Sequence, residues 1–402
     1  MAAGELKPRW GQPLTGIISF IAFFLIAWGT WYILSDPRGP VGWFPYPFVM
    51  YLAMMILVGL WQHMFLGDWP FQNLGQPMRG IVQTIVNVVV VWFVIDIVFY
   101  RILGLGFNFL SYYGLTAIGK PGIYAQIAIV CFVLMGFYTY PVVTIFFGKW
   151  PVQPSNLKQP AAGVAEFGWA SVITLFAYII LIVPFFGLLF KGPALSTPWW
   201  AGIGGTPHVH WVFGWWEWAI VILFISANVW RMKPWSLITL PQPWKGIISL
   251  ILSFIGAYIL ALISMKIIPL WVPEETFHHL HEAKGASEVT RFLWLHSAEI
   301  AGFTLIPFLI WHHFFDDMCG MEDKDSWGAF WVRTIGVLIL TAMSYWFFYY
   351  ANFGYWGLGN SHMAEFSHRF PHGESLLWNF WWIIPLLWNE WFFHKWPFYV
   401  EE

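Results

Sequence analysis

Gln12-Pro13-Leu14-Thr15-Gly16 opens an apolar block that runs from Ile17 to Leu34, and the phrase returns three times. It reads Gln76-Pro77-x-x-Gly80, Gln159-Pro160-x-x-Gly163 and Gln242-Pro243-x-x-Gly246, and a long apolar block follows each copy. The starts lie 64, 83 and 83 residues apart, which sets a fifth start near residue 324. There Lys324-Asp325-Ser326-Trp327-Gly328 keeps the glycine and loses Gln-Pro, and an apolar block from Trp331 to Tyr350 still follows. Proline suits the first turn of a helix, where its missing N–H has no partner to lose. Each start therefore predicts a helix.

The ends of the units also recur. Asp68-Trp69-Pro70, Lys149-Trp150-Pro151, Lys233-Pro234 and Lys395-Trp396-Pro397 each close a second apolar block, whereas the fourth unit ends in Asp316-Asp317-Met318. The pattern is helix, loop, helix and a short Trp-Pro linker. Blocks near 20 residues match the hydrocarbon thickness of a bilayer. The expected fold is an all-α integral membrane protein of about ten transmembrane helices. They form five two-helix repeats, at about 10–72, 73–153, 156–236, 239–320 and 324–398, within one membrane domain. Repeats of this size belong to solenoids and to pseudo-symmetric membrane folds, so the units can close into a pseudo-symmetric ring.

Composition agrees: 59% of the 402 residues are hydrophobic and 10% are charged, against about 25% charged in soluble domains. The first block is too long for the apolar core of a signal peptide and no small-residue cleavage site follows it. A net charge of −2 gives no basis for nucleic-acid binding, and Cys131 and Cys319 cannot build a disulfide framework. With paired helices, all linkers and both termini share one side. Eleven of the nineteen Lys and Arg lie on that side and eight on the hairpin side. This weak bias puts both termini in the cytoplasm of a prokaryotic inner membrane. Lipid is the expected surrounding, and other membrane or extracytoplasmic subunits are expected partners.

Thirteen histidines are spread unevenly, and eight fall in the three later hairpins: His208, His210, His278, His279, His281, His362, His368 and His372. His278, His279 and His281 are dense enough to be metal candidates. A second set lies in the helices. Aligned on tryptophan, the second helices of units 1, 4 and 5 read Trp61-Gln62-His63, Trp311-His312-His313 and Trp388-Asn389-Glu390, with Thr144 and Ala227 in units 2 and 3. If the ring closes, units 4, 5 and 1 are consecutive, and His63, His313 and Glu390 converge as an open two-His, one-carboxylate site for Fe, Cu or Zn. His312, Asp316, Asp317 and His394 would support it. The plain alternative is a set of interfacial polar residues that reach water.

Asp96, Glu166, Glu217 and Glu299 lie inside predicted spans, where acids face a bundle interior or a wet cavity. His296 and Glu299 share a helical face, as do His210 and Glu217, so these four are candidate cofactor-binding or proton-relay residues. His296 and His313 are 17 residues apart, roughly 25 Å along one helix. That places them at opposite faces of the membrane and makes haem ligation a second choice. No phosphate loop, His-Glu-x-x-His, nucleophile elbow or Cys-x-x-Cys occurs. Two functions follow: a membrane metalloprotein, as an enzyme or as the membrane subunit of a redox complex, or a transporter or channel for a small solute or ion. A purely structural subunit is the third.

Overall fold

The computed structural model describes residues 6–35, 39–41, 48–102, 120–182, 204–205, 210–352 and 373–401. Apart from one short strand pair, the regular elements are helices. In chain order they are α1 (Leu14–Thr30), α2 (Phe48–Leu60), α3 (Met78–Trp92), α4 (Lys120–Ile145), α5 (Ala161–Leu181), α6 (His210–Ala227), α7 (Trp244–Ile267), α8 (Glu274–Lys284), α9 (Ala286–Phe314), α10 (Trp327–Trp346) and α11 (Gly373–Trp391). Wider π-type turns prolong α1 over Trp31–Ser35, α2 over Trp61–Phe65, α3 over Phe93–Ile102 and α10 over Phe347–Asn352.

Among the described residues, seven helices are long and apolar enough to cross a bilayer: α1, α3, α5, α6, α7, α9 and α10. The sequence expectation was ten. The apolar stretches Val49–Phe65 and Ile129–Ile145 of α2 and α4 are shorter, and α11 sets Asn379, Asn389 and Glu390 among its apolar residues.

Two classes of helix differ in what they bury. In the most apolar window of α1, α3, α5, α7 and α10 only 22–28% of residues are buried, against 72% in α6 and 83% in α9. The inward stripe of the first class is mostly small or polar. It is Thr15, Gly16, Ser19, Phe23 and Ala27 in α1, and Gly246, Ser249, Ser253, Ala257 and Ala261 in α7. The outward faces carry Ile85, Val172, Phe176 and Ile335, each more than half exposed. This is helical amphipathicity turned inside out. Such apolar area is unfavourable in water at about 25 cal/mol per Å² and is satisfied in lipid.

The second class forms a closed circuit. α2 packs on α4, α4 on α6, α6 on α9, α9 on α11, and α11 back on α2. The first class lies outside it: α1 against α9 and α11, α3 against α2 and α11, α5 against α4, α7 against α6 and α9, and α10 against α9. β1 (Leu6–Pro8) pairs antiparallel with β2 (Tyr399–Glu401), with Leu6 opposite Glu401, so segments far apart in sequence lie side by side.

The recurring phrase works as a long-range lock. Gln12 Nε2 donates to the Phe314 carbonyl at 2.7 Å, Gln76 to Phe392 at 2.8 Å, Gln159 to Phe65 at 2.7 Å and Gln242 to Phe146 at 2.8 Å. Each glutamine thus satisfies a carbonyl left open at the end of an inner helix or its π-type extension. The glycine allows the approach, since a Cβ at Gly16, Gly80 or Gly246 would enter the ring of Phe315, Phe393 or Phe147, and one at Gly163 would meet the Phe65 carbonyl. The proline stands one position earlier than the sequence implied. Pro13, Pro77, Pro160 and Pro243 are caps with ψ between −6° and 2°, so the helix begins only at the next residue. All four follow cis peptide bonds.

The inner helices end alike. Gly67-Asp68, Gly148-Lys149, Arg231-Met232, Asp316-Asp317 and His394-Lys395 are left-handed pairs. The N–H of the second residue returns to the carbonyl six positions earlier: Asp68 to Gln62, Lys149 to Val143, Met232 to Ser226, Asp317 to Trp311 and Lys395 to Asn389. This Schellman-like stop closes the open carbonyl end. It also gives a backbone register, in which His63, Thr144, Ala227, His312 and Glu390 are equivalent, each five before the bonded residue. The tryptophan alignment had placed His313 there. Unit 4 lacks the closing proline, so tryptophan was its only anchor, and Trp311 stands where Gln62 and Asn389 stand.

Candidate functional site

Polar side chains gather at three levels of the helix circuit. On the linker side, Asp68 is a hub. His63 Nδ1 lies 3.1 Å from Asp68 Oδ1, Gln83 Nε2 donates to the same oxygen at 3.0 Å, Arg79 donates to Oδ2, and His394 Nε2 is 3.7 Å from Oδ2. Burial pushes the Asp68 carboxyl up, but the nearby His394 and His63 rings and the charges of His63 and Arg79 outweigh it. Together they hold the group well below the usual carboxylate range. Neighbouring pairs continue the array. His313 Nδ1 is 3.3 Å from Glu390 Oε1, and Lys395 Nζ is 3.6 Å from Glu390 Oε2. His312 Nδ1 is 3.0 Å from Asp317 Oδ1, which Arg231 also approaches at 3.6 Å through Oδ2. Asp316 accepts from Gln12 at 2.8 Å and from the Tyr399 hydroxyl at 2.9 Å.

The linker-side residues expected from sequence are therefore neighbours, but they partner one another. His313 and Glu390 meet as expected, while His63 turns to Asp68 and stacks on Trp391 at 5.7 Å. Among the described residues, no three His, Cys, Asp or Glu side chains converge as a metal site. His278, His279 and His281 lie on the exposed face of α8 while Leu280 is buried, and His278 lies 4.0 Å from Glu274. These three read as loop residues in the sequence and are helical here. His208, His362, His368 and His372 lie outside the described residues.

The second level is a buried array on α9. His296 Nδ1 lies 2.9 Å from Glu299 Oε2, close enough for an ion pair though poorly aligned for a hydrogen bond, and both side chains are at most 2% exposed. His296 Nε2 is 2.5 Å from the Tyr345 hydroxyl, which also accepts from Trp271 Nε1 at 3.0 Å. Tyr349 and Ser375 bond to Glu299. Both ring nitrogens of His296 are thus engaged within the protein. His210 is not part of this array; it lies 3.4 Å from Arg291, which holds Glu288.

The third level is the axis. A cavity of about 50 Å³ is lined by all five inner helices, among them Ile56 of α2, Leu134 of α4, Glu217 of α6, Gly302 of α9 and Asn379 of α11. Among the described residues that line it, Glu217 and Asn379 bring the polar side chains, beside the indole of Trp391. They are 5% and 2% exposed, and neither makes a hydrogen bond or ion pair among the described residues. The other intramembrane acids differ: Asp96 accepts from Tyr51 at 2.8 Å, and Glu166 meets Lys149 at 3.2 Å. An unbonded buried amide costs on the order of 1–3 kcal/mol, and a carboxylate more. Gly302 makes room for the amide, because a Cβ there would lie 2.8 Å from Asn379 Nδ2. Glu299 and Ser375 sit one turn away along the same two helices, and Trp391, against His63, closes the opposite end.

A larger recess of about 540 Å³ opens between α1, α9, α10 and α11, lined by apolar side chains with Ser344 the exception. It offers little chemistry. Sequence reading found Glu217 but missed Asp68, Arg79, Tyr345, Tyr349 and Asn379. The signals available were an aspartate where other linkers carry lysine, and an asparagine inside a tryptophan-rich span. No protein-family profile matches the chain, and neither a curated protein nor a solved structure matches it significantly.

Proposed function

We propose that the protein is a transporter or channel that moves a small cation across the membrane along the axis of five two-helix units closed into a ring. The ring reading is supported by the glutamine lock, which in all four copies reaches the inner helix two units back around the circuit. It is supported again by the pairing of β1 with β2 across the remaining seam. The excess of basic residues on the linker side favours both termini in the cytoplasm of a prokaryotic inner membrane.

The single observation that carries the transport reading is Glu217, a carboxyl with no partner among the described residues, in a cavity that all five inner helices line. An ionisable group at that depth calls for a transient partner. The metal reading of the sequence needs His63, His313 and Glu390 to share one ion, whereas His313 pairs with Glu390 and His63 lies against Asp68.

The test is flux through the purified protein in liposomes under an imposed potential, measured in turn for protons, Na⁺ and K⁺. Glu217→Gln is expected to abolish the flux, and replacing His278, His279 and His281 by alanine to leave it intact. Flux of none of these cations, or flux indifferent to Glu217→Gln, refutes the proposal.

A further inference from the structure

We infer that the transported ion is the proton and that the Glu217 carboxyl is the group that carries it at the centre of the membrane. This rests on the reading of the ring as a cation path and names its substrate. The donor set makes the choice. A metal cation such as Ca²⁺ or Mg²⁺ takes about six or more oxygens, and a filter for K⁺ replaces the hydration shell with rings of carbonyls. The cavity supplies the two oxygens of Glu217 and the Oδ1 of Asn379, and its other lining side chains are apolar. Asn379 Oδ1 is buried and unbonded. A proton needs one carboxyl, and a cavity of about 50 Å³ has room for the water that delivers it, since one water occupies roughly 10–15 Å³ on this measure.

The step balances without another reactant. Hydronium in the cavity gives its proton to the Glu217 carboxylate, leaving water and a neutral carboxylic acid; the reverse step, toward water on the other side, regenerates the carboxylate. Asn379 positions that water, with its amide able to donate and accept. Among the described residues, no other charged group lines the cavity. From α9, Glu299 and His296 face each other and the tyrosines of the α10 segment. From α11, Glu390 faces His313 and Lys395. From α4, the Tyr138 hydroxyl is bonded to Ser253 of α7. α2 contributes only apolar side chains to the lining.

Two measurements test this. In liposomes holding a pH-sensitive dye, an imposed potential should drive proton uptake that falls to the protein-free background in Glu217→Gln, persists in part in Glu217→Asp, and slows in Asn379→Leu. Infrared difference spectra of the detergent-solubilised protein should show a carboxylic-acid carbonyl band that appears on acidification, shifts in D₂O, and is missing from Glu217→Gln. Flux of Na⁺ or K⁺ without protons overturns the inference and leaves the transport reading standing. A pH-independent spectrum at Glu217 overturns it whatever the flux. Absence of all flux removes the transport reading, while the infrared band still reports whether Glu217 exchanges a proton.

Discussion

Replacing Asp68 by asparagine removes one charge from a position that four polar side chains surround and leaves the backbone undisturbed. Asp68 has φ 63°, a conformation that asparagine tolerates as well as aspartate. The side chains of Asp68 and Arg79 are 6% and 11% exposed, so this is a buried pair rather than a surface one. Removing one partner of a buried pair typically costs about 3–5 kcal/mol, because the other charge is left uncompensated. The new amide also turns two N–H donors toward Arg79, while its oxygen can still accept from Gln83, so the expected loss is near the lower end, about 3 kcal/mol. Arg79→Met should lose less, about 2 kcal/mol, since Asp68 keeps His63, His394 and Gln83. The double variant should be more stable than the sum by roughly 1–3 kcal/mol. Unfolding by SDS titration in mixed micelles, followed by tryptophan fluorescence, measures all three. A loss below about 1 kcal/mol for Asp68→Asn, the range of exposed pairs, or strict additivity with Arg79→Met, refutes the assignment of Asp68 as the buried hub.

The same hub fixes a pH dependence. Because the folded Asp68 carboxyl is held below its ordinary value, its stabilisation is complete above that ordinary value, about 3.9, and is lost as pH falls through the folded one. The Asp68 share of the stability should therefore be lost only below about pH 4, and Asp68→Asn should show less acid loss in that range in the same titration. Gly163→Ala forces a Cβ into the Phe65 carbonyl and should cost about 1–3 kcal/mol as overpacking, read in the SDS assay. Tyr349→Phe removes a donor from the buried Glu299 carboxyl and should cost about 1–3 kcal/mol; an unchanged midpoint would mean that the hydroxyl is not bonded there.

The sequence showed where helices begin but not what the opening phrase touches. Gln12 and Phe314 are 302 residues apart, and Gln76 and Phe392 are 316 apart. A contact that skips a unit leaves no local trace, so only the recurrence of Gln-Pro-x-x-Gly was visible. Register was legible where a closing proline marked it and slipped by one residue in unit 4, where Asp316-Asp317 replaces that mark. His296 and Glu299 share a helical face by spacing alone, and they do meet. Burial of Glu217 also followed from its place in an apolar span. That it has no partner among the described residues did not, because that depends on what the four other inner helices leave empty. α8 was hidden by its histidines, which drew the segment toward a loop reading. Its helical signals were Glu274 and Glu275 in the first turn and Gly285 after the last.

The two-stranded clasp between Leu6–Pro8 and Tyr399–Glu401 joins two segments that are far apart in sequence. Because these strands lie side by side, a short peptide could link Leu6 to Glu401 in a permuted variant whose new ends fall in another linker, such as the turn over Gln153–Ser155. The loop closed by such a join is short, and its entropic cost changes only slowly with length. Circular permutation of this kind preserves every lock between units while changing which pair of helices leaves the ribosome first. Order of synthesis and order in the finished assembly are thus separable in this architecture, and the clasp is what separates them.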